Sequence, residues 1–266
     1  MCGSGMQAVM YGYQQILAGD ASCVIAGGME SMTNAPYLSS KYRAGLKMGH
    51  GDMVDHMFHD GLQDVKHGQL MGAFAEMCAE KYNFSREQQD DFAISSLERA
   101  NSAISSGAFE AEITPVVVKS RKGETTYTDD EQPAKAAVDK IRKLRPAFKK
   151  DGTVTAANAS SISDGAAALV LMDSSEAEKK GFQPLAKITA QAVHAQDPDW
   201  FSTAPIFAIQ KVLKKCEWAV DDVDLFEINE AFAVVTMAAT KDLHLDPAKV
   251  NVNGGACALG HPIGAS

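Results

Sequence analysis

The feature that most limits what this chain can become is an amphipathic helix followed at once by a short apolar strand. From Met6 the apolar side chains recur as Met6, Val9, Met10, Tyr13, Ile16 and Leu17, the spacing of one helix face, and Gly19-Asp20 closes the run. Ser22 to Ala26 is then a continuous apolar run bounded by Asp20 and Gly27-Gly28, which predicts a buried strand. Helix and strand in such close succession mark an α/β fold.

The alternation continues along the chain. Thr33 to Met71, rich in Gly, Met, His and Asp with little periodicity, reads as an inserted region with short elements of its own. Ser85 and Gln88 form a capping box for a helix over Ser85 to Ser106, whose stripe is Phe92, Leu97, Ala100 and Ile104 and whose stop is Gly107. Ile113 to Val118 and Thr125 to Thr128 predict strands around the Arg121-Lys122-Gly123 turn, and Asp129 to Arg145 a charged surface loop with helical turns. Beyond these, strands are predicted at Ala166 to Met172, Pro184 to Ala192 and Val223 to Ile228. Helices are predicted at Ser174 to Lys180, at Ala204 to Lys215 behind a Thr203 cap, and at Asn229 to Leu243.

Composition excludes several function classes. A length of 266 residues with 45% hydrophobic and 22% charged residues suits one large or two ordinary globular domains. The net charge of −9, with no cluster of Lys or Arg to offset it, argues against a nucleic-acid or anionic-membrane surface. Cys2, Cys23, Cys78, Cys216 and Cys257 form no Cys-x-x-Cys pair and no regular spacing, so neither a disulfide framework nor a structural metal site is expected. A reducing compartment, the cytoplasm, fits them, and no apolar run reaches membrane-spanning length.

Three short segments carry chemistry. Cys2 stands where the first helix begins, at its positive end, between Met1 and the Gly3-Ser4-Gly5 turn. Such a position favours a thiolate and a nucleophile, though a structural cysteine in a glycine-rich turn fits the same residues equally well. Asn229 lies at a strand-to-helix junction, where α/β proteins place catalytic groups but where a lone Asn is more often a plain helix cap. His261 follows Gly260 and precedes Pro262. Together a thiol, a carboxamide and an imidazole suffice for acyl transfer: the imidazole deprotonates the thiol and binds a thioester oxygen, and the carboxamide holds a water beside it.

The joint pattern resembles the thiolase family, acetyl-CoA C-acetyltransferases in particular. The resemblance is carried, in order along the whole chain, by Cys2-Gly3-Ser4-Gly5-Met6, Ala26-Gly27-Gly28-Met29-Glu30-Ser31-Met32, Leu144-Arg145-Pro146-Ala147-Phe148, Asn158-Ala159-Ser160, Asp164-Gly165-Ala166-Ala167-Ala168, Asn229-Glu230-Ala231-Phe232, Asn251-Val252-Asn253-Gly254-Gly255-Ala256 and Gly260-His261-Pro262-Ile263-Gly264-Ala265-Ser266. It implies a thiolase-like α/β fold of two similar layered halves, residues 1–182 with an inserted loop domain over 32–163, and residues 183–266. It also implies an acyl-cysteine intermediate on Cys2, activation by His261, and Asn229 holding the water of the oxyanion hole. Ser160, Leu62, Phe148 and Phe232 match positions that contact coenzyme A.

By the same resemblance the reaction is thiolysis of acetoacetyl-CoA or another 3-ketoacyl-CoA, reversed as a condensation of two acetyl-CoA. CoA thioesters are substrates, no cofactor is permanently bound, and the assembly is a homodimer or homotetramer. Family members begin before the nucleophile and end beyond a Cys-x-Gly-Gly-Gly segment that supplies a second acid/base. Neither part is in this sequence, so both halves are expected to be incomplete and the chain's own activity impaired or lost. Leu70 stands where several members have histidine, and Cys257 reads as a small buried apolar residue. Two other classes compete: a hydrolase with Cys2 as N-terminal nucleophile, disfavoured because the residues after Cys2 have helical rather than strand period, and a thiolase-like protein that binds CoA without catalysis.

Overall fold

The computed structural model describes residues 2–266; Met1, the first residue of the expected N-terminal half, lies outside them. In chain order the elements are α1 (Ser4–Ala18), β1 (Cys23–Ser31), β2 (Tyr37–Leu38), β3 (Val54–Asp55), α2 (Met71–Tyr82), α3 (Arg86–Ser105), β4 (Val116–Ser120), β5 (Gly123–Tyr127), α4 (Glu131–Lys135), α5 (Val138–Ile141), β6 (Asp164–Met172), α6 (Ser174–Lys179), α7 (Ala204–Cys216), α8 (Ala233–Asp242) and α9 (Ala256–Leu259). Two compact units result. One comprises the chain up to Met71 with Ile162–Val193 and His261–Ser266; the other comprises Gly72–Ser161 with His194–Gly260.

In the first unit β1 and β6 form an antiparallel ribbon with Cys23 opposite Met172 and Ser31 opposite Asp164. The β6 carboxylate of Asp164 accepts from the Thr33 N–H at 2.9 Å and the Ser31 hydroxyl at 3.2 Å, which pins the far end of the pair and holds its carboxyl below the ordinary range. Helix α1 covers one face. Gly12 makes that contact possible, because a Cβ there would stand 3.0 Å from Leu171 Cδ1 and 3.1 Å from Val24 Cγ1. The opposite face carries Ile25 and Met29, which are 75% and 80% exposed. The expectation of a buried strand is corrected accordingly: among the described residues β1 has one strand neighbour and one covered face, and side chains on the other face alternate outward.

The second unit is mostly helical. Leu97 and Ala100 of α3, Ile141 of α5 and Ala258 of α9 form a buried cluster, with Ile94, Ala157 and Leu259 against it. Helix α8 packs against α3 and α7, with Val234, Thr236, Ala238 and Ala239 fully buried. The start of α3 is as predicted: the Ser85 hydroxyl accepts from the Gln88 N–H, and the Gln88 side chain accepts from the Ser85 N–H.

Other expectations need correction. Pro184 to Ala192 forms no strand, and Val223 to Ile228 contributes only a parallel bridge between Phe226 and Val250. Apolar, β-prone runs become strands only where a ladder partner exists; here the Asn251 side chain instead satisfies the N–H and C=O of Ile228, both at 2.8 Å. Helix α8 starts at Ala233 rather than Asn229, since Phe232 is extended and bridges Ala159. Thr203 precedes α7 without capping it, its hydroxyl donating to the Trp200 carbonyl at 3.1 Å. The two strands of the β4–β5 hairpin are exposed on all ten residues and shifted from the predicted bounds, though the turn falls at the expected Arg121-Lys122.

Replacing Ser85 by Ala removes an N-cap bond and is expected to cost about 1 kcal/mol. Urea unfolding should show this as a lower midpoint with an unchanged slope.

Candidate functional site

Cys2 lies one residue ahead of Gly3, the N-cap of α1. The chain's last three residues lie over that same helix end. The Met6 N–H donates to the Ser266 carbonyl at 2.8 Å and the Ser4 hydroxyl to the Gly264 carbonyl at 3.3 Å. This close approach depends on glycine. A Cβ on Gly5 would sit 2.2 Å from the Ala265 carbonyl oxygen, and one on Gly28 of β1 would sit 2.0 Å from that of Gly264. His261 opens this segment; it is 4% exposed, and its Nδ1 lies 3.1 Å from the Ser266 hydroxyl. Burial lowers its pKa from the ordinary histidine value, so the imidazole is neutral at pH 7. Leu62 ends a π-helical turn, Met57–Leu62, whose Gly61 approaches Ile263 two residues past the histidine. The first unit thus brings Cys2 and His261 to segments in direct contact, with the turn bearing Leu62 against the second of them.

The thiol itself departs from expectation. Although the residue is exposed as a whole, lost hydration around the sulfur raises its pKa above the usual thiol value, where the helix end was expected to lower it. The carbonyl oxygens of Gly264, Ala265 and Ser266 approach the first turn of α1, and that of Ser266 accepts the Met6 N–H. The resting pair is therefore a neutral thiol and a neutral imidazole.

Within the second unit, residues 158–160 are zipped against the turn that carries Asn229. The Ser160 N–H and hydroxyl both donate to the Ala231 carbonyl at 3.0 Å, and the Ala233 N–H donates to the Asn158 carbonyl at 2.8 Å. Asn158 is wholly buried. It donates to Asp90 and to the Thr153 carbonyl, both at 3.1 Å, and accepts from the Thr155 N–H at 2.7 Å. Phe148 rests on Gly72 of α2, where a Cβ would lie 2.2 Å from the ring. It meets Phe232 edge-on at 6.0 Å, and Phe201 meets the same ring at 6.3 Å. Ser160, Phe148 and Phe232 therefore gather in one place. Asn229 is exposed between buried Ile228 and buried Glu230. Among the described residues no group of His, Cys, Asp or Glu could hold a metal ion.

The family models for the thiolase N-terminal domain and the thiolase C-terminal domain match residues 1–175 and 182–266. This chain belongs to the thiolase family. It is 51% identical over 267 residues to an acetyl-CoA acetyltransferase of Rhizobium meliloti, covering 100% of this chain and 68% of that protein. To an acetyl-CoA acetyltransferase of Schizosaccharomyces pombe it is 49% identical over 268 residues, with coverage of 100% and 68%. Among solved structures, it superposes on the Bacillus anthracis acetyl-CoA acetyltransferase with a TM-score of 0.96 at 45% identity, covering 99% of this chain and 67% of that one. It superposes on human mitochondrial 3-ketoacyl-CoA thiolase with a TM-score of 0.93 at 41% identity, covering 100% and 67%. The thiolase-like α/β fold and membership of an acyl-transferring enzyme family follow.

Three residues of this thiolase chain take roles that the motifs do not assign. Phe201 adds a third ring to Phe148 and Phe232, and nothing in its local sequence marks it. Glu76, buried on α2, accepts from the Thr153 N–H and the Val154 N–H at 2.8 Å each and shapes the loop between Phe148 and Asn158. Glu230 is 1% exposed and accepts from three segments. A carboxylate within an apolar helix face was the available signal for Glu76, and the position beside Asn229 for Glu230. Cys257 remains a neutral thiol, pushed well up by burial.

Two outcomes are expected. Gly28→Ala should destabilise the chain by about 1–3 kcal/mol, the usual cost of overpacking, and loosen the last six residues, read by amide exchange at Met6. As pH falls below 6.5, the unfolded His261 takes up a proton that the folded one resists, so stability should decline progressively toward the folded pKa. Denaturant unfolding should show a smaller decline over that range for His261→Asn.

Proposed function

We propose that this chain transfers an acetyl group between CoA thioesters through an acyl-cysteine intermediate on Cys2. The observation that carries this reading is the direct bonding of the segment opened by His261 to the first turn of α1, one residue beyond Cys2-Gly3. In the thiolytic direction His261 takes the thiol proton as the sulfur attacks the 3-keto carbon. The bond between that carbon and the α-carbon breaks, its electron pair leaves with the α-carbon, and acetyl-CoA departs as that carbon takes up the proton His261 received. A second CoA thiol then attacks the acyl-cysteine, releasing the shortened thioester and the Cys2 thiolate, which regains a proton. The reverse sequence condenses two acetyl-CoA.

A neutral imidazole and a neutral thiol suit this order of events, since the base must be free of its proton at the moment of attack. Negative charge developing on the departing thioester oxygen is stabilised by His261 and by a water held on Asn229. Ser160, Leu62, Phe148 and Phe232 contact the pantetheine arm of CoA, with Phe201 closing the aromatic wall. The relatives' names support acetyl-CoA as a substrate, since those proteins are named acetyl-CoA acetyltransferases.

CoA thioesters are substrates in this reading, and no cofactor is held between turnovers. The protein acts in fatty acid metabolism as a homodimer or homotetramer. Five free cysteines suit the reducing cytoplasm, and among the described residues no helix is long and apolar enough to cross a membrane. The two functional halves are residues 1–182, with the inserted region 32–163, and residues 183–266.

Exposure to acetyl-CoA followed by intact-mass and peptide mass spectrometry tests the reading. One acetyl group on Cys2, lost in Cys2→Ser and slowed about 100-fold or more in His261→Asn, is the expected result. CoA retained without acetylation would support binding alone, and acetylation spread over other cysteines would reject Cys2 as the nucleophile.

A further inference from the structure

We propose that Glu230 is the positioning residue for Asn229, acting as a buried three-way anchor that fixes where the carboxamide points. This rests on the acyl-transfer reading, in which Asn229 holds the oxyanion-hole water. The carboxylate of Glu230 gathers donors from three separate stretches of chain. Its Oε2 accepts from the Ser96 hydroxyl of α3 at 2.7 Å and from the Cys257 N–H at the start of α9 at 3.0 Å, and its Oε1 accepts from the Asn251 amide at 2.9 Å. Ser96 in turn accepts from the Gly255 N–H at 3.0 Å. Gly255 has to be glycine there, because a Cβ would lie 2.3 Å from the carboxyl carbon.

These bonds immobilise the backbone on both sides of position 229. Asn251 holds both the N–H and the C=O of Ile228, while Ser160 holds the Ala231 carbonyl. Between a clamped residue 228 and a clamped pair 230–231, the backbone at Asn229 is held, and with it the direction in which its side chain leaves the chain. The carboxylate is also the group the geometry demands. Donors arrive on both oxygens, and a carboxylate accepts on both, whereas an amide accepts on one and presents N–H groups on the other. A Gln at 230 would set donor against donor, at Asn251 or at the Cys257 N–H, and the latter cannot turn away.

The test is a double-mutant cycle on thiolysis of acetoacetyl-CoA with Glu230→Gln, Asn229→Ala and both together. Glu230→Gln should lower kcat about 10- to 100-fold, the scale of a small misplacement of a catalytic group, with KM within about 2-fold. Added to Asn229→Ala it should cost nothing more, because its effect passes through the side chain already removed. An unchanged kcat, or an equal loss in both backgrounds, would overturn the proposal.

Failure of the functional reading gives a different pattern, in which the wild-type chain acetylates no Cys2. Positioning is then read by amide exchange alone. In Glu230→Gln the Ile228, Gly255 and Cys257 amides should exchange at least about 10-fold faster while Ala233 is unaffected, and unaltered protection would overturn the proposal. Should Glu230→Gln fail to fold, Ser96→Ala deletes one donor to the same carboxylate. It should show the same split between kcat and KM and the same non-additivity at about 3- to 10-fold, the size of one hydrogen bond.

Discussion

Two absent side chains govern how the first unit is assembled. Gly5 and Gly28 present bare backbone to residues 264–265, and the carbonyl oxygens of that last segment come closer to them than any Cβ would allow. The Met6 N–H then bonds to Ser266, and the segment begun by His261 is fastened to the first turn of α1. The constraint is long-range, since it ties position 5 to position 265. It also places a backbone carbonyl on the Met6 N–H at the helix end.

The second unit solves a different problem with buried carboxylates. Asp90, Glu76 and Glu230 are each at least 96% buried by exposed fraction, and each gathers donors from stretches of chain distant in sequence. Glu76 shapes the loop after Phe148, Asp90 braces Asn158 and is itself paired with Arg86 at 2.7 Å, and Glu230 ties the turn of Asn229 to α3 and α9. Apolar packing sets the helices side by side, but it is non-directional. Hydrogen bonds converging on a carboxylate define orientation, and a partly satisfied set would be costly, so such a network holds its loops in one arrangement.

How much of this was legible in the sequence follows from range. The capping box at Ser85, the period of α1 and the Gly-rich turn before Ser4 are local, and their positions were readable within a residue or two. Pro184 to Ala192 and Val223 to Ile228 look like strands by composition yet lack ladder partners, information that belongs to the rest of the chain. Helix α8 was placed four residues too early because Phe232 pairs with Ala159, a contact across 73 positions. The segments bearing Cys2, Asn229, His261, Ser160, Leu62, Phe148 and Phe232 could be singled out as motifs. The direction of the Cys2 pKa could not be read, since it depends on how far folding strips water from the sulfur.

The ribbon of β1 and β6 has a consequence for handling the protein. With α1 on one side only, Ile25, Met29 and Val170 stand in water, and the outer backbone of each strand has no ladder partner among the described residues. Strands with open borders and oily faces recruit similar neighbours. Concentrated samples should therefore tend toward sticky, strand-paired aggregates, and mild detergent or dilution should keep the chain dispersed.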